Sequence, residues 1–221
     1  MTWVKICGIT NLEDAMTAVD SGADALGFVF YEKSKRRVEE KAVREIVCQL
    51  PSSIEKVGVF VDESFMQMEE IAQELGLTGI QAHAGSANSG ADDAVAFRSR
   101  THKYIALRAS DLTDSAGWAR LSGWERVLRA IFLDSGTESE PGGTGKAFDW
   151  EKAEPTVRAL RERFQVVVAG GLSPANVTEA IRILKPWGVD VSSGVEASPG
   201  KKDHEKVRAF IAAVRSEEQR K

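Results

Sequence analysis

The chain has only two cysteines, Cys7 and Cys48, and no long apolar run among its 221 residues. The cysteines share no CxxC or metal-ligand spacing with the three histidines, so neither a disulfide framework nor a metal site is predicted. No stretch approaches the roughly 18 apolar residues of a membrane helix, and the N-terminus lacks a signal-peptide pattern. These absences predict a cytoplasmic protein that binds neither a metal nor a membrane.

The chain also lacks an excess of basic residues. Lys and Arg total 29 against 33 Asp and Glu, which gives a formal net charge of −4. Proteins that bind duplex nucleic acid use basic residues to displace counterions from phosphates, so a nucleic-acid partner is not expected. Apolar residues make up 43% and charged residues 28%, which is typical of a globular enzyme and argues against a disordered chain.

Eight short β-rich runs recur along the chain: WVKICGI, ALGFVFY, KVGVFV, GIQAHA, KYIALRA, RAIFLDS, QVVVAGG and GVDVSSG. Between most of them, apolar residues recur every three or four positions, which indicates amphipathic helices. About 28 residues per strand and helix predict an α/β fold, a (β/α)8 TIM barrel formed as a single domain by residues 1–221. A doubly wound sheet is the alternative, but CGITNLED after the first run lacks the expected GxGxxG.

Two candidate catalytic residues end predicted strands, and in a barrel the loops after the strands form the active site. Cys7 follows the first run and Asp134 ends the sixth, so they could form an acid–base pair on either side of one substrate. Cations near an exposed strand end would lower the pKa of the Cys7 thiol. Two other interpretations stay open: Cys7 as a small buried hydrophobe and Asp134 as a cap of its loop. Cys48, in the helix-like segment VREIVCQL, is expected to be buried.

Small residues end the seventh and eighth runs, at Gly170 and Gly171 and at Ser193 and Gly194. Backbone N–H groups can approach an anion there, and these two loops are the usual phosphate site of a barrel. Ser173 is expected to cap a helix that begins near residue 174. The alternative is that the glycines only form tight turns.

Two segments rich in small and polar residues, 84–92 and 136–145, are predicted loops, and each is either a candidate lid or a solvated surface loop. The sequence GGTGK at 142–146 is similar to a nucleotide-binding loop at first sight. However, Glu140 and Ala147 stand where that pattern needs Gly and Ser or Thr, so ATP binding is not predicted.

Lys5 shares a strand face with Cys7 at period two, so both side chains point into the barrel if either does. A buried lysine needs a partner. We expect that partner to be Asp190 on the neighbouring eighth strand, and otherwise Asp190 faces the substrate hydroxyls.

Longer motifs extend over the whole chain: KICGIT at 5–10, GADALGFVFYEKSKRRV at 22–38, VGVFV at 57–61, LDS with GGTGKAFDW within 133–150, AGGLSPANV at 169–177 and GVDVSSGVEASPGKKDHEKVRAFI at 188–211. In this order they resemble the phosphoribosylanthranilate isomerases of tryptophan biosynthesis. The resemblance implies an Amadori rearrangement of N-(5-phosphoribosyl)anthranilate to 1-(2-carboxyphenylamino)-1-deoxyribulose 5-phosphate, without metal or cofactor. It also implies a small phosphosugar substrate as the partner, in a monomer or homodimer.

The same resemblance implies roles for individual residues. Cys7 is the general base at the sugar C2, Asp134 is the general acid at the furanose oxygen, and Arg36 pairs with the anthranilate carboxylate. The further substrate-binding residues are expected to be His83, Gly170, Gly171, Asp190, Ser193 and Gly194. The segment IQAHAG at 80–85 departs from the family pattern close to VQLHG, so His83 is equally well interpreted as part of the pocket wall.

Two other functions stay open at this stage. One is the related isomerisation of the histidine pathway, although those enzymes use an aspartate where Cys7 stands. The other is a barrel that binds phosphosugars without converting them, against which the complete acid–base pair argues.

Overall fold

A computed structural model describes residues 1–83, 101–112, 115–119, 121–134 and 149–219. Eight parallel strands form a closed barrel in chain order, so the first strand pairs with both the second and the eighth. This confirms the predicted (β/α)8 fold. The predicted loops at 84–92 and 136–145, with the GGTGK sequence, lie outside the described residues.

The strands of the barrel coincide with the eight β-rich runs. They are β1 (Trp3–Cys7), β2 (Ala25–Val29), β3 (Glu55–Phe60), β4 (Gly79–His83), β5 (His102–Arg108), β6 (Leu128–Asp134), β7 (Val166–Val168) and β8 (Gly188–Val191). After β8 the chain makes a short 3-10 turn at Ser193–Val195 and an antiparallel pair, β9 (Glu196–Ser198) and β10 (Lys201–Lys202).

The helices of the described part of the chain surround the barrel. They are α1 (Leu12–Asp20), α2 (Glu40–Val47), α3 (Phe65–Leu75), α4 (Ser115–Ala119), α5 (Trp150–Arg161), α6 (Val177–Leu184) and α7 (His204–Glu218). Several of them begin at an N-cap residue, whose side chain accepts a hydrogen bond from a free backbone amide of the first turn. Asn11, for example, accepts a hydrogen bond from the Asp14 amide at the start of α1, 2.9 Å away. None of the described helices combines the length and the apolar character that spanning a membrane requires.

The two faces of each strand belong to different parts of the core. On β1, Val4 and Ile6 point outward and pack with residues of the helices, whereas Trp3, Lys5 and Cys7 point into the barrel. The period-two argument that placed Lys5 and Cys7 on one face is therefore confirmed. Aromatic and other apolar side chains fill most of the interior at the amino ends of the strands, around the buried carboxylate of Glu55, and polar side chains line the interior at the carboxyl ends.

Two local expectations are wrong. Cys48 is exposed, because α2 ends at Val47 and the following residue turns away from the core, where its thiol donates to the carbonyl of Glu45. Ser173 does not cap a helix near residue 174. The helix α6 begins at Val177, and Asn176 instead accepts a hydrogen bond from the Ser173 amide, 2.8 Å away.

Candidate active site

The carboxyl ends of the strands enclose a cavity of about 500 Å³. Eight of the nine residues expected to form the site line it: Cys7, Arg36, His83, Asp134, Gly170, Gly171, Asp190 and Ser193. They come from six different strands or the loops after them, so the barrel joins residues that are far apart in the chain. This position is where barrel enzymes carry out their chemistry.

Gly194 is the predicted site residue that does not line the cavity. A Cβ atom there would lie 1.8 Å from the carbonyl oxygen of Leu172, so only glycine lets the loops after β7 and β8 touch. Its predicted contact with a phosphate stays a prediction, and the structure shows a packing role.

The loop after β7 has the conformation that a phosphate site needs. Gly170 and Gly171 have φ values of 79° and 66°, in the left-handed region that favours glycine. Asn176 holds this turn, because its side-chain amide donates to the carbonyl of Gly171 over 3.0 Å. Within the described ranges, the amides of Gly170, Gly171, Ser193 and Gly194 donate no hydrogen bond to another protein group. These N–H groups are therefore available to an anion.

Cys7 lines the cavity beside a buried ion pair. The Lys5 ammonium is completely buried, and its Nζ lies 2.9 Å from Asp190 Oδ1, which confirms the expected pairing. A Cβ atom at Gly27 would lie 2.7 Å from Cys7 Sγ and 2.9 Å from Lys5 Cε. Both side chains therefore pack directly against the backbone of Gly27, where any larger residue would displace them.

The electrostatics of Cys7 differ from the expectation. Burial raises the pKa of the thiol and outweighs the opposing effects of Lys5 and Lys202, which lower it. The expected net lowering by nearby cations is therefore wrong, because the thiol is more deeply buried than its position at a strand end indicates. Burial alone lowers the pKa of Lys5, but Asp190 and Cys7 together raise it above its ordinary value, so the lysine stays charged beside the thiol.

His83 ends β4 and faces the same cavity. Burial, with the nearby Lys5 charge, lowers its pKa to about 4. The imidazole is therefore neutral at pH 7 and brings no positive charge to the cavity.

Asp134 ends β6, which β7 and β8 separate from β1 in the barrel. Its side chain is half-buried and lines the cavity.

Arg36, in the loop after β2, is already engaged by a carboxylate. Its Nε and Nη2 atoms each lie 2.8 Å from an oxygen of Glu196, in a two-bond contact. Glu196 also accepts from Lys202 Nζ over 3.1 Å. Glu196 and Lys202 both lie in the motif that begins GVDVSSGVEASPGKK at residue 188. Nothing in the spacing of these two residues predicts a role for them at the site.

Two further polar residues of the cavity were missed by the sequence reasoning or given no role. In the described part of the chain, Gln81 Oε1 and Ser192 Oγ are buried without a hydrogen-bond partner. Period-two alternation with His83 places Gln81 inside the barrel, so the pattern could have found it. Among the residues that the structure describes, no three His, Cys, Asp or Glu side chains come close enough to hold a metal ion.

Comparison with known proteins decides the family. Residues 4–213 match the family model described as N-(5'phosphoribosyl)anthranilate (PRA) isomerase. The isomerase of Thermotoga neapolitana is 44% identical over 213 residues, which cover 96% of this chain and 97% of that protein. The chain belongs to this isomerase family.

Solved structures of the isomerase family agree over the whole barrel. The crystal structure of phosphoribosyl anthranilate isomerase from Thermotoga maritima matches with a TM-score of 0.82 and 40% identity, covering 98% of this chain and 100% of that one. A second isomerase structure, in complex with reduced 1-(o-carboxyphenylamino)-1-deoxyribulose 5-phosphate, has a TM-score of 0.79 and 37% identity at 98% and 100% coverage. The resemblance noted in the sequence is therefore confirmed as family membership.

Proposed function

We propose that the cavity isomerises N-(5'-phosphoribosyl)anthranilate, the activity of the family to which this enzyme of tryptophan biosynthesis belongs, with Cys7 as general base and Asp134 as general acid. One observation carries the assignment of roles: a single cavity joins a thiol, a carboxyl group, an arginine and a loop of uncommitted amides. These groups match the four requirements of the substrate, which are a base, an acid, a partner for the carboxylate and a partner for the phosphate.

The reaction moves protons and needs no redox group. Asp134 gives a proton to the furanose oxygen as the C1–O bond breaks, which leaves an iminium between C1 and the anthranilate nitrogen. The Cys7 thiolate then removes the proton from C2, and the resulting enolamine tautomerises to the ketone. Each positioned acid or base contributes about 10² to 10⁴ in rate.

Lys5 offsets part of the effect of burial on Cys7 and so assists the thiol in acting as a base. Burial opposes the thiolate, and the adjacent ammonium stabilises it. Asp190 fixes Lys5 through Oδ1 and itself lines the cavity, so we assign to Asp190 a contact with a sugar hydroxyl. His83, being neutral, serves as a hydrogen-bonding wall for the substrate rather than as a charge.

The two ends of the substrate meet different groups. The phosphate is assigned to the amides of Gly170, Gly171, Ser193 and Gly194, and the anthranilate carboxylate to Arg36, whose planar guanidinium suits it. We further propose a cytoplasmic enzyme without cofactor that acts as a monomer or homodimer and uses residues 1–221 as one catalytic domain. Light scattering after gel filtration tests the oligomeric state.

Turnover of purified protein tests the proposal directly. Conversion of N-(5'-phosphoribosyl)anthranilate is followed by loss of substrate fluorescence. Cys7→Ala and Asp134→Asn should each lower kcat by about 10² or more, because each removes one proton-transfer group. Cys48→Ala is the matched control and should keep the parent rate, since that thiol lies on the surface. A Cys7→Ala enzyme with the parent rate would refute the assigned base, and tight binding without product would indicate a phosphosugar-binding protein instead.

A further inference from the structure

Glu196 connects the hairpin after β8 to the cavity. Its Oε1 lies 2.8 Å from Arg36 Nε and 3.1 Å from Lys202 Nζ, and its Oε2 lies 2.8 Å from Arg36 Nη2. The Glu196 side chain is only 5% exposed and that of Lys202 is 0% exposed. Burying three charged groups costs desolvation free energy, because each would be strongly solvated in water. A carboxylate buried between two cations therefore suggests a role beyond stability.

The position of the Glu196 carboxylate does not depend on Arg36 alone. The Gly200 amide donates to its Oε1 over 3.2 Å, and Lys206 of α7 donates to its carbonyl oxygen over 3.0 Å. The amide of Lys202 in turn donates to Asp14 of α1 over 2.8 Å. Two helices therefore fix the backbone of the hairpin, and the Gly200 amide holds the carboxylate itself, so its position is supported independently of Arg36.

Arg36 is fixed on a second side by close packing. A Cβ atom at Gly8 would lie 2.8 Å from Arg36 Cδ, so the arginine stem lies directly against the backbone after β1. Glu196 occupies the edge of the guanidinium formed by Nε and Nη2. In the part of the chain that the structure describes, Nη1 makes no hydrogen bond, so the edge formed by Nη1 and Nη2 keeps donors for a ligand.

Glu196 is anionic when it holds Arg36. Burial alone raises the pKa of its carboxyl group, but Arg36 and Lys202 outweigh burial and lower that pKa below its usual range. The negative charge therefore stays beside Arg36 at neutral pH, although a site for an anionic ligand gains attraction from positive charge. A carboxylate in this position weakens the general attraction of the site for anions, so attraction by charge does not explain its presence.

We propose that Glu196, supported by Lys202, is a positioning residue that turns the Nη1–Nη2 edge of Arg36 toward the carboxylate on the aromatic end of the substrate. The inference rests on the proposed function, in which Arg36 receives that carboxylate. It makes the hairpin a determinant of specificity for a substrate that carries a carboxylate as well as a phosphate. Lys202 supports it from the other side, because it donates to Glu196 and to the Ser192 carbonyl, 3.3 Å away.

Glu196→Gln separates orientation from charge. The substitution keeps the shape of the side chain and removes a negative charge beside Arg36, so charge attraction alone predicts tighter binding of an anion. Positioning predicts the opposite, because a neutral amide holds the guanidinium edge less firmly than a carboxylate. We expect KM to rise about tenfold, which corresponds to one lost charge-assisted interaction, while kcat changes less than about threefold.

Two probes locate the effect within the cavity. Titration calorimetry with reduced 1-(o-carboxyphenylamino)-1-deoxyribulose 5-phosphate measures the combined carboxylate and phosphate contacts, and titration with inorganic phosphate measures the phosphate contact alone. In Glu196→Gln the first affinity should fall about tenfold and the second should stay within about twofold. Lys202→Met should weaken the first affinity in the same direction, and it serves as the test variant if thermal unfolding shows that Glu196→Gln does not fold.

Glu74→Gln is the matched control. Glu74 pairs with Arg44 on the surface over 2.7 Å, so its substitution should leave both affinities unchanged. Unchanged or tighter binding of the analogue by Glu196→Gln would overturn the inference, and so would equal losses for analogue and phosphate, which would indicate a general role in the loop. Failure of the proposed function is a separate result: the parent enzyme would not convert the substrate, whatever the variants bind.

Discussion

The two ends of the barrel differ in whether their buried polar groups have hydrogen-bond partners. At the amino ends of the strands, Trp3 stacks on Trp187 with ring centroids 5.2 Å apart and meets the edge of Phe132 at 6.0 Å. The one hydroxyl in this cluster, that of Tyr104, donates to Glu55 over 2.6 Å. Aromatic packing fills this end, and its buried hydroxyl has a partner.

At the carboxyl ends, polar atoms are buried without partners in the described residues, at Gln81 and Ser192. The backbone at Gly170 and Gly171 adopts left-handed conformations, and the buried Cys7 lies beside a buried ion pair. The two unpartnered polar atoms cost stability unless a ligand or water hydrogen-bonds to them. The comparison indicates that partnered packing is concentrated at the amino end and that unpartnered polar groups are concentrated at the other end, the mouth of the barrel.

The strongest way to break this comparison is to damage the amino end. Trp3→Ala should lower the free energy of unfolding by about 3–5 kcal/mol, because it removes a large buried ring from the cluster. The kcat of the protein that remains folded should stay near the parent value. Urea denaturation and turnover at low temperature measure the two quantities. A loss of kcat without a loss of stability would show that the two ends are not separate.

The reverse experiment damages the mouth at Lys5. Lys5→Met should lower kcat/KM at neutral pH at least about tenfold, because the thiolate of Cys7 loses its cation and the pKa of the thiol rises further. The alkylation rate of Cys7 by iodoacetamide across pH measures this shift, in a Cys48→Ala background that removes the exposed thiol. An alkylation profile unchanged from the parent would contradict the assigned role of Lys5.

His83 links the mouth to the pH dependence of stability. Its pKa of about 4 in the folded protein lies below the ordinary value of 6.5, so the unfolded chain binds more protons between these pH values. Stability should therefore fall as pH decreases from about 6.5 toward 4, by roughly 2 kcal/mol from this group. Urea denaturation of His83→Gln at several pH values should show a flatter profile. A profile as steep as the parent's would assign the dependence to other groups.

The smallest effect is expected at Gln81, whose buried side-chain oxygen has no hydrogen-bond partner among the described residues. Gln81→Met should raise the free energy of unfolding by about 1 kcal/mol, because it removes a buried acceptor without a partner and keeps an unbranched shape. The KM should rise a few-fold, since the mouth loses a polar group that faces the substrate. Thermal unfolding and steady-state kinetics check both signs. Lower stability in this variant would show that the amide has a structural role.

The fold and the buried ion pair could be predicted because they depend on local periodicity. Period-two alternation on β1 places Lys5 and Cys7 together, and closure of the barrel brings β8 beside β1, so Asp190 follows as a partner. The residues that end the strands then identify most of the cavity. These inferences need only strand order and the direction of side chains.

The features that could not be predicted depend on contacts between residues far apart in the sequence and on how deeply a side chain is buried. The contact of Arg36 with Glu196 joins residues 160 positions apart through a hairpin that has no strong sequence signal. The pKa of Cys7 depends on whether burial or the nearby cations dominate, and a sequence does not give the depth of a side chain. Cys48 is exposed because α2 ends at Val47, one residue before it. Apolar spacing alone does not predict at which residue a helix ends.

A crystal structure of this enzyme with reduced 1-(o-carboxyphenylamino)-1-deoxyribulose 5-phosphate would show whether Cys7 and Asp134 act on one sugar. We expect Cys7 Sγ and a carboxylate oxygen of Asp134 to contact the sugar from opposite sides, each within about 3.5 Å of the atom it serves. A complex in which the analogue occupies the cavity and either side chain is turned away from it would refute the assigned acid–base pair.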